Sequence, residues 1–246
     1  MDPATLILLA GLLGLVALLY TSVGHAGASG YLAVMALFAV PAATMRPTAL
    51  VLNILVASLA TFRFVRAGQF NFRLLWPFVL GAVPAAFLAG RVQLPGEIYR
   101  PLVGVVLWLA AARLLWPRPL KSLEHSAAPN PLVSLAAGGG IGLLSGLTGT
   151  GGGIFLSPLI LFMGWEQPRR TSGVAAAFIL CVSISGLAGS LSSVGRLPPE
   201  LPVLVAAVLV GALAGTQLGI ARLPQPRLLQ ALGLVLLVAG GKMIFT

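Results

Sequence analysis

The chain has 246 residues, 58% of them hydrophobic and only 8% charged, with a formal net charge of +10. A soluble domain carries about 25% charged residues, so an ordinary water-exposed surface is excluded. The Lys and Arg stand singly or in pairs at the ends of apolar segments and form no basic stripe. That distribution fits interfacial anchoring and topology signals, and it argues against a nucleic-acid partner.

Apolar stretches of spanning length recur at 4–22, 47–66, 74–91, 101–116, 131–147, 171–193, 201–222 and 228–245. They predict an all-α fold, a polytopic integral membrane protein forming a single transmembrane domain over 1–246. The first stretch follows Asp2 with no basic residue before it, so it reads as a retained membrane segment and not a removed leader. Two shorter apolar stretches, 31–40 and 154–164, each follow a glycine-rich interruption. The polar run "PRPLKSLEHSAAPNP", with Pro117, Pro119, Pro129 and Pro131, marks a linker at about 119–130. It separates one half, about 1–118, from a second, about 131–246.

The halves resemble each other. "LAGRVQLPGEIYRPLVGVVLWLAAARLL" aligns with "LGIARLPQPRLLQALGLVLLVAGGKMI", bringing Pro95 onto Pro224, Gly104 onto Gly233 and Arg113 onto Lys242. Arg46 and Thr48 fall on Arg169 and Thr171, and "ASGYLAVMAL" falls on "GGGIFLSPLI". Matched punctuation at several separate places points to an internal duplication, an arrangement common in transporters.

Charge placement bears on how the halves are oriented. If each short stretch continued its preceding helix, the 15 Lys and Arg would divide eight against seven between the two faces. If each turns back as a hairpin, ten fall on one face, and only Arg46, Arg91, Arg100, Arg196 and Lys242 remain on the other. The second division is the bias a cytoplasmic face carries. It predicts inverted repeats, each a glycine-broken re-entrant hairpin plus three spanning helices, with the glycine-rich tips near mid-membrane.

The interruption "GLTGTGGGIFLSP", Gly146–Pro158, is costly as continuous helix, since each helical glycine loses about 1 kcal/mol relative to alanine. As a break, it lets the backbone reach positive φ and leaves the N–H groups of the next helix unpaired, with the positive end of the helix dipole. Such a start binds anions without a charged side chain. "TSVGHAGASGYLAV" supplies a related start in the first half, and two tips meeting define one central site.

The candidate substrate-binding residues are Ser22, His25, Ser29 and Gly30 at the first break. At the second they are Thr148, Gly149, Thr150, Gly151, Gly152 and Gly153. Thr48, Asn53, Thr171 and Ser172 lie on the following helices. Hydroxyl and amide groups satisfy an oxyanion without burying a counter-charge, although a single Ser or Thr in a membrane helix more often bonds its own backbone. His25 titrates near neutral pH and suits proton coupling, with a neutral packing histidine as the plainer reading. Arg46, Arg169 and Arg170 stand where they would draw anions inward or simply anchor helix ends.

Cys181 permits no intrachain disulfide, and "GLTGTGGG" lacks the Lys and Ser/Thr that complete a nucleotide-binding loop. No cofactor and no metal are called for. The expected partners are a small anionic substrate and membrane lipid, with no nucleic acid; the oligomeric state is not readable.

"GLTGTGGGIFLSPLILFMGW" followed by "QPRRTSGVAAAF" resembles the glycine-rich signature of the TauE/SafE sulfite exporter family, with "SVGHAGASGYLAVMALFAV" as its first-half counterpart. The resemblance implies a permease for sulfur-containing anions, such as sulfite or organosulfonates, in the bacterial inner membrane. The family motif falls on Gly149, Gly151, Gly152, Gly153 and Pro158. The first half departs from it, with Ala28 and Ser29 in place of glycines and no proline at Val34 or Met35. A passive anion channel of the same fold and a membrane scaffold stay open as alternatives. An enzyme is disfavoured, because no intramembrane carboxylate, Ser–His pair with an orienting group, or metal-ligand cluster is apparent.

Overall fold

A computed structural model describes residues 2–115, 129–221 and 226–245, apart from the side chains of 193, 221, 226–229, 231 and 232. The expected linker lies outside the described residues except for Pro129 and Asn130, as do Arg118, Lys121 and Arg222. The first half contains α1 (Pro3–Thr21), α2 (Ala28–Leu37), α3 (Ala42–Arg66), α4 (Phe72–Arg91) and α5 (Gly96–Leu115). The second contains α6 (Pro131–Thr148), α7 (Gly153–Met163), α8 (Pro168–Gly189), α9 (Leu201–Ala221) and α10 (Pro226–Phe245). Each half runs long, short, long, long, long.

Among the described residues, seven helices are long and apolar enough to cross a membrane, and α10 adds an apolar stretch at Gly233–Phe245. Ile7, Leu132, Val210 and Phe245 are among the large apolar side chains left outward, as a lipid-facing surface requires. The chain is a multi-pass membrane protein.

Several boundaries differ from the sequence expectation. Helices expected from Pro47, Pro101 and Thr171 begin at Ala42, Gly96 and Pro168. Proline favours a helix start, but lipid offers no competing partner for the backbone, so a proline inside a membrane helix leaves one carbonyl unpaired without ending it. The helix expected to reach Ser193 ends at Gly189, and Leu191–Arg196 form a 3-10 turn.

The short helices begin close to the helix before them. Gly30 lies against Val16 and Tyr20 of α1, and Gly152 lies against Ile141 and beside Ser145 of α6. At both breaks the start of the short helix therefore folds against the helix that precedes it. With 10 and 11 residues, α2 and α7 span about 15–17 Å at 1.5 Å per residue, roughly half the hydrocarbon thickness.

Packing is exchanged between halves. α1 packs along α9, and α6 packs along α4. Gly14 meets Ala207 and Ser22 meets Gly219; Phe78 meets Gly138 and Ala86 meets Gly146. Sequence number rises together on both partners, so each of these pairs is parallel. α3 packs on α8 and α5 on α10 in the opposite sense: Leu50 meets Gly186 and Phe64 meets Gly173, while Gly104 meets Ile244 and Leu115 meets Gly233. α8 is the most enclosed span, at 61% buried against 33% for α9, and the α3–α8 pair forms the centre.

Candidate functional site

The helices that begin near the membrane surface include three with side-chain caps. Asp2 Oδ2 accepts from the Thr5 N–H, Asn71 from the Leu74 N–H and Asn130 from the Leu132 N–H. Thr5 holds the Asp2 carboxyl below its ordinary range through these hydrogen bonds. α3 and α8 also lack a side-chain cap, but the two helices that begin inside the protein start from left-handed glycines. α2 starts after Gly27 at φ +103° and α7 after Gly152 at φ +75°, neither with a side-chain cap. Among the described residues, no backbone carbonyl accepts the N–H groups of Ala26 to Gly30 or of Thr150 to Ile154.

The two starts meet. His25 Nε2 lies 3.0 Å from the Gly153 carbonyl oxygen; because a carbonyl only accepts, Nε2 carries the hydrogen. Gly151, at φ +74°, rests against Asn53, Ile179 and Ser183, and Gly153 rests against Ile179 and His25. Asn53 Nδ2 donates to Ser183 Oγ at 3.4 Å, across from α3 to α8. One cluster therefore contains His25, Asn53, Ser183 and the glycines 151–153, drawn from both halves.

The other candidates have definite places. Thr148 Oγ1 donates to the Leu144 carbonyl and shares a 3.0 Å hydrogen bond with Thr150. Gly149 adopts φ +85° against Arg46. Ser22 donates to the Leu19 carbonyl, Ser29 shares a 2.7 Å hydrogen bond with the Tyr20 hydroxyl, and Gly30 supplies the close approach to α1. Ser172 Oγ donates to the Val23 carbonyl at 3.0 Å, closing the first break onto the start of α8. Thr171 bonds back to the Gln167 carbonyl of its own helix.

Thr48 is fully buried, and its hydroxyl has no partner among the described residues. At 100° per residue it lies across α3 from Arg46 and Asn53, so it is not brought to the second break. Arg169 and Arg170 are exposed, whereas Arg46 is buried.

Ser145, Ile179 and Tyr99 join the site without having been singled out. The Tyr99 hydroxyl donates to the Thr148 carbonyl at 3.0 Å, and Ser145 borders Gly152. Ser145 was findable, since it stands one turn before Gly149 on the same helix face. Tyr99 and Ile179 come from distant elements with no local signal. Among the described residues, no three of His, Cys, Asp and Glu lie together.

A family model described as "Sulfite exporter TauE/SafE" matches residues 7–243. The chain is 37% identical over 233 residues, 94% of its own length and 94% of the relative's, to the "Probable membrane transporter protein y4hK" of Sinorhizobium fredii (strain NBRC 101917 / NGR234). No solved structure matches it significantly.

Proposed function

The chain belongs to the sulfite exporter TauE/SafE family of membrane transporters, and on that footing we propose that it is a proton-coupled permease for a small sulfur-containing oxyanion, sulfite or an organosulfonate, in the bacterial inner membrane. The observation that carries this reading is the meeting of two uncapped helix starts inside the protein, joined by His25 and Gly153. Unpaired N–H groups and two positive dipole ends suit an oxyanion, and they need no buried counter-charge.

Two inverted repeats belong to this reading. What supports them is the antiparallel packing of α3 on α8 and of α5 on α10. An axis relating the partners of an antiparallel pair lies across the helices and not along them. The loops also agree: Asn71 Nδ2 donates to Glu166 Oε2 at 2.6 Å, so the α3–α4 and α7–α8 connections share one end of the bundle.

A permease is favoured over a passive channel because the glycines of the second break are packed closely against α3, α6 and α8. A Cβ added at Gly151, Gly152 or Gly153 would fall 2.4, 2.7 or 2.3 Å from its nearest neighbour. Sulfite flux into proteoliposomes under an imposed proton gradient tests the reading. The gradient should drive flux, and His25→Ala should alter its pH profile. Flux indifferent to the gradient would mean a channel, and an unchanged profile would remove His25 from coupling.

A further inference from the structure

The two breaks match in backbone but not in side chains. At the first, the nearby hydroxyls are already committed: Ser22 to the Leu19 carbonyl, Ser29 to Tyr20, Tyr31 to the Ala26 carbonyl and Ser172 to the Val23 carbonyl. At the second, Ser145 Oγ and Ser157 Oγ have no hydrogen-bond partner among the described residues, on side chains more than nine-tenths buried, and the fully buried Asn53 sets its Nδ2 donor beside Gly151. Asn53 touches Gly151, Ser145 borders Gly152, and Ser157 stands one turn beyond Gly153 on the same helix face. Buried polar atoms almost always find partners, so two orphan hydroxyls and an amide donor beside one set of unpaired N–H groups need a reason.

The repeat register shows that this difference is built in. The offset that brings Thr48 onto Thr171 and Ala28 onto Gly151 also brings Asn53 onto Ala176, Ser22 onto Ser145 and Val34 onto Ser157. At the first break, therefore, the three matching positions hold two apolar residues and one serine turned onto its own helix. Internal duplication would furnish two equivalent sites; these substitutions gather the unpaired hydroxyls at the second, while among the described residues His25 Nδ1 is the unpartnered side-chain atom of the first.

We infer that the substrate is held by the second break alone, on the N–H groups of Gly151 to Ile154 together with Asn53, Ser145 and Ser157. The first break is a packed wall that contributes His25. This rests on the anion-permease reading above and makes those three side chains the determinants of affinity. Both halves still build the site, because Asn53 is carried by α3 and reaches across to the second break.

An orphan polar group that waits for a ligand leaves a double signature. Removing it weakens binding and, in the ligand-free protein, raises thermal stability, since a buried unsatisfied atom is lost. The test uses the purified full chain in lipid nanodiscs with sulfite as the probe, following affinity and the melting midpoint.

Ser145→Ala and Ser157→Ala should each weaken sulfite binding about 5- to 20-fold, and Asn53→Leu about 10- to 100-fold. Both serine variants should melt higher than the unsubstituted protein without sulfite. Tyr20→Phe and Tyr31→Phe, which remove satisfied hydrogen bonds at the first break, should melt lower and bind within about twofold. The inference is overturned if the two tyrosine variants lose as much affinity as the serine variants, or if the three second-break variants bind normally. If the unsubstituted protein binds neither sulfite, methanesulfonate nor nitrate, the anion reading itself fails and takes this one with it.

Discussion

Arg46 shows how one residue type serves different ends at matched positions. It is 7% exposed, and its guanidinium donates to the carbonyls of Val92 at 2.8 Å, Gly90 at 2.8 Å and Ala89 at 3.3 Å. Those carbonyls close α4, so a positive charge sits at the negative end of a helix dipole. The planar fork serves several acceptors at once, which a lysine ammonium on a thinner stem does not reproduce. Arg46→Ala should lower stability by about 2–3 kcal/mol, with Arg46→Lys recovering only part, read from thermal unfolding in detergent. Its sequence counterpart Arg169 is exposed. The sequence shows both arginines at helix mouths; it does not show that the end of α4 arrives beside only one of them. Arg46 is thus a structural fastening for the end of α4.

Among the elements, glycines divide into those that break helices and those that let helices touch. Gly142 faces α4 so closely that an added Cβ would lie 2.3 Å from the Ala82 carbonyl oxygen, whereas one at Gly140 would meet nothing within 4 Å. Gly142→Ala should therefore destabilise by about 1–3 kcal/mol through backbone displacement, and Gly140→Ala should be neutral or stabilising by up to about 1 kcal/mol through helix propensity. Parallel unfolding curves of the two variants check this. The breaks and the short arms after them were legible because consecutive glycines and a ten-residue apolar run are local facts. The functions of Gly138, Gly142 and Gly146 were not legible, because their partners lie on α4, some sixty residues away, and nothing local distinguishes them from Gly139 and Gly140.

For the whole molecule, the charge distribution and the helix contacts bear on the same question by independent routes. The hairpin scheme puts Arg73 with Arg169 and Arg170 on one face, and Arg91 with Arg196 on the other. In the structure, the loop before Arg73 pairs with Glu166, and Gln93 pairs with Arg196 at 3.4 Å. In a Cys181→Ser background, single cysteines at Gln69 and Gln167 should label from the same side of sealed vesicles and one at Gln93 from the other. Opposite labelling of Gln69 and Gln167 would exclude inverted halves. What no charge count supplied was the exchange of partners between halves, because a lipid-facing helix and a helix-facing helix carry nearly the same hydropathy.

That exchange bears on how the protein is made. α1 and α4 leave the ribosome well before the glycine-bearing helices that cover them, α9 and α6. Until the second half is inserted, the covered faces are exposed to lipid, and α3 lacks its central neighbour α8. Neither half is a unit that matures alone. α4 gains its partner α6 midway through the chain, whereas α1 waits for α9 and α5 for α10, so the last-made segments complete the bundle.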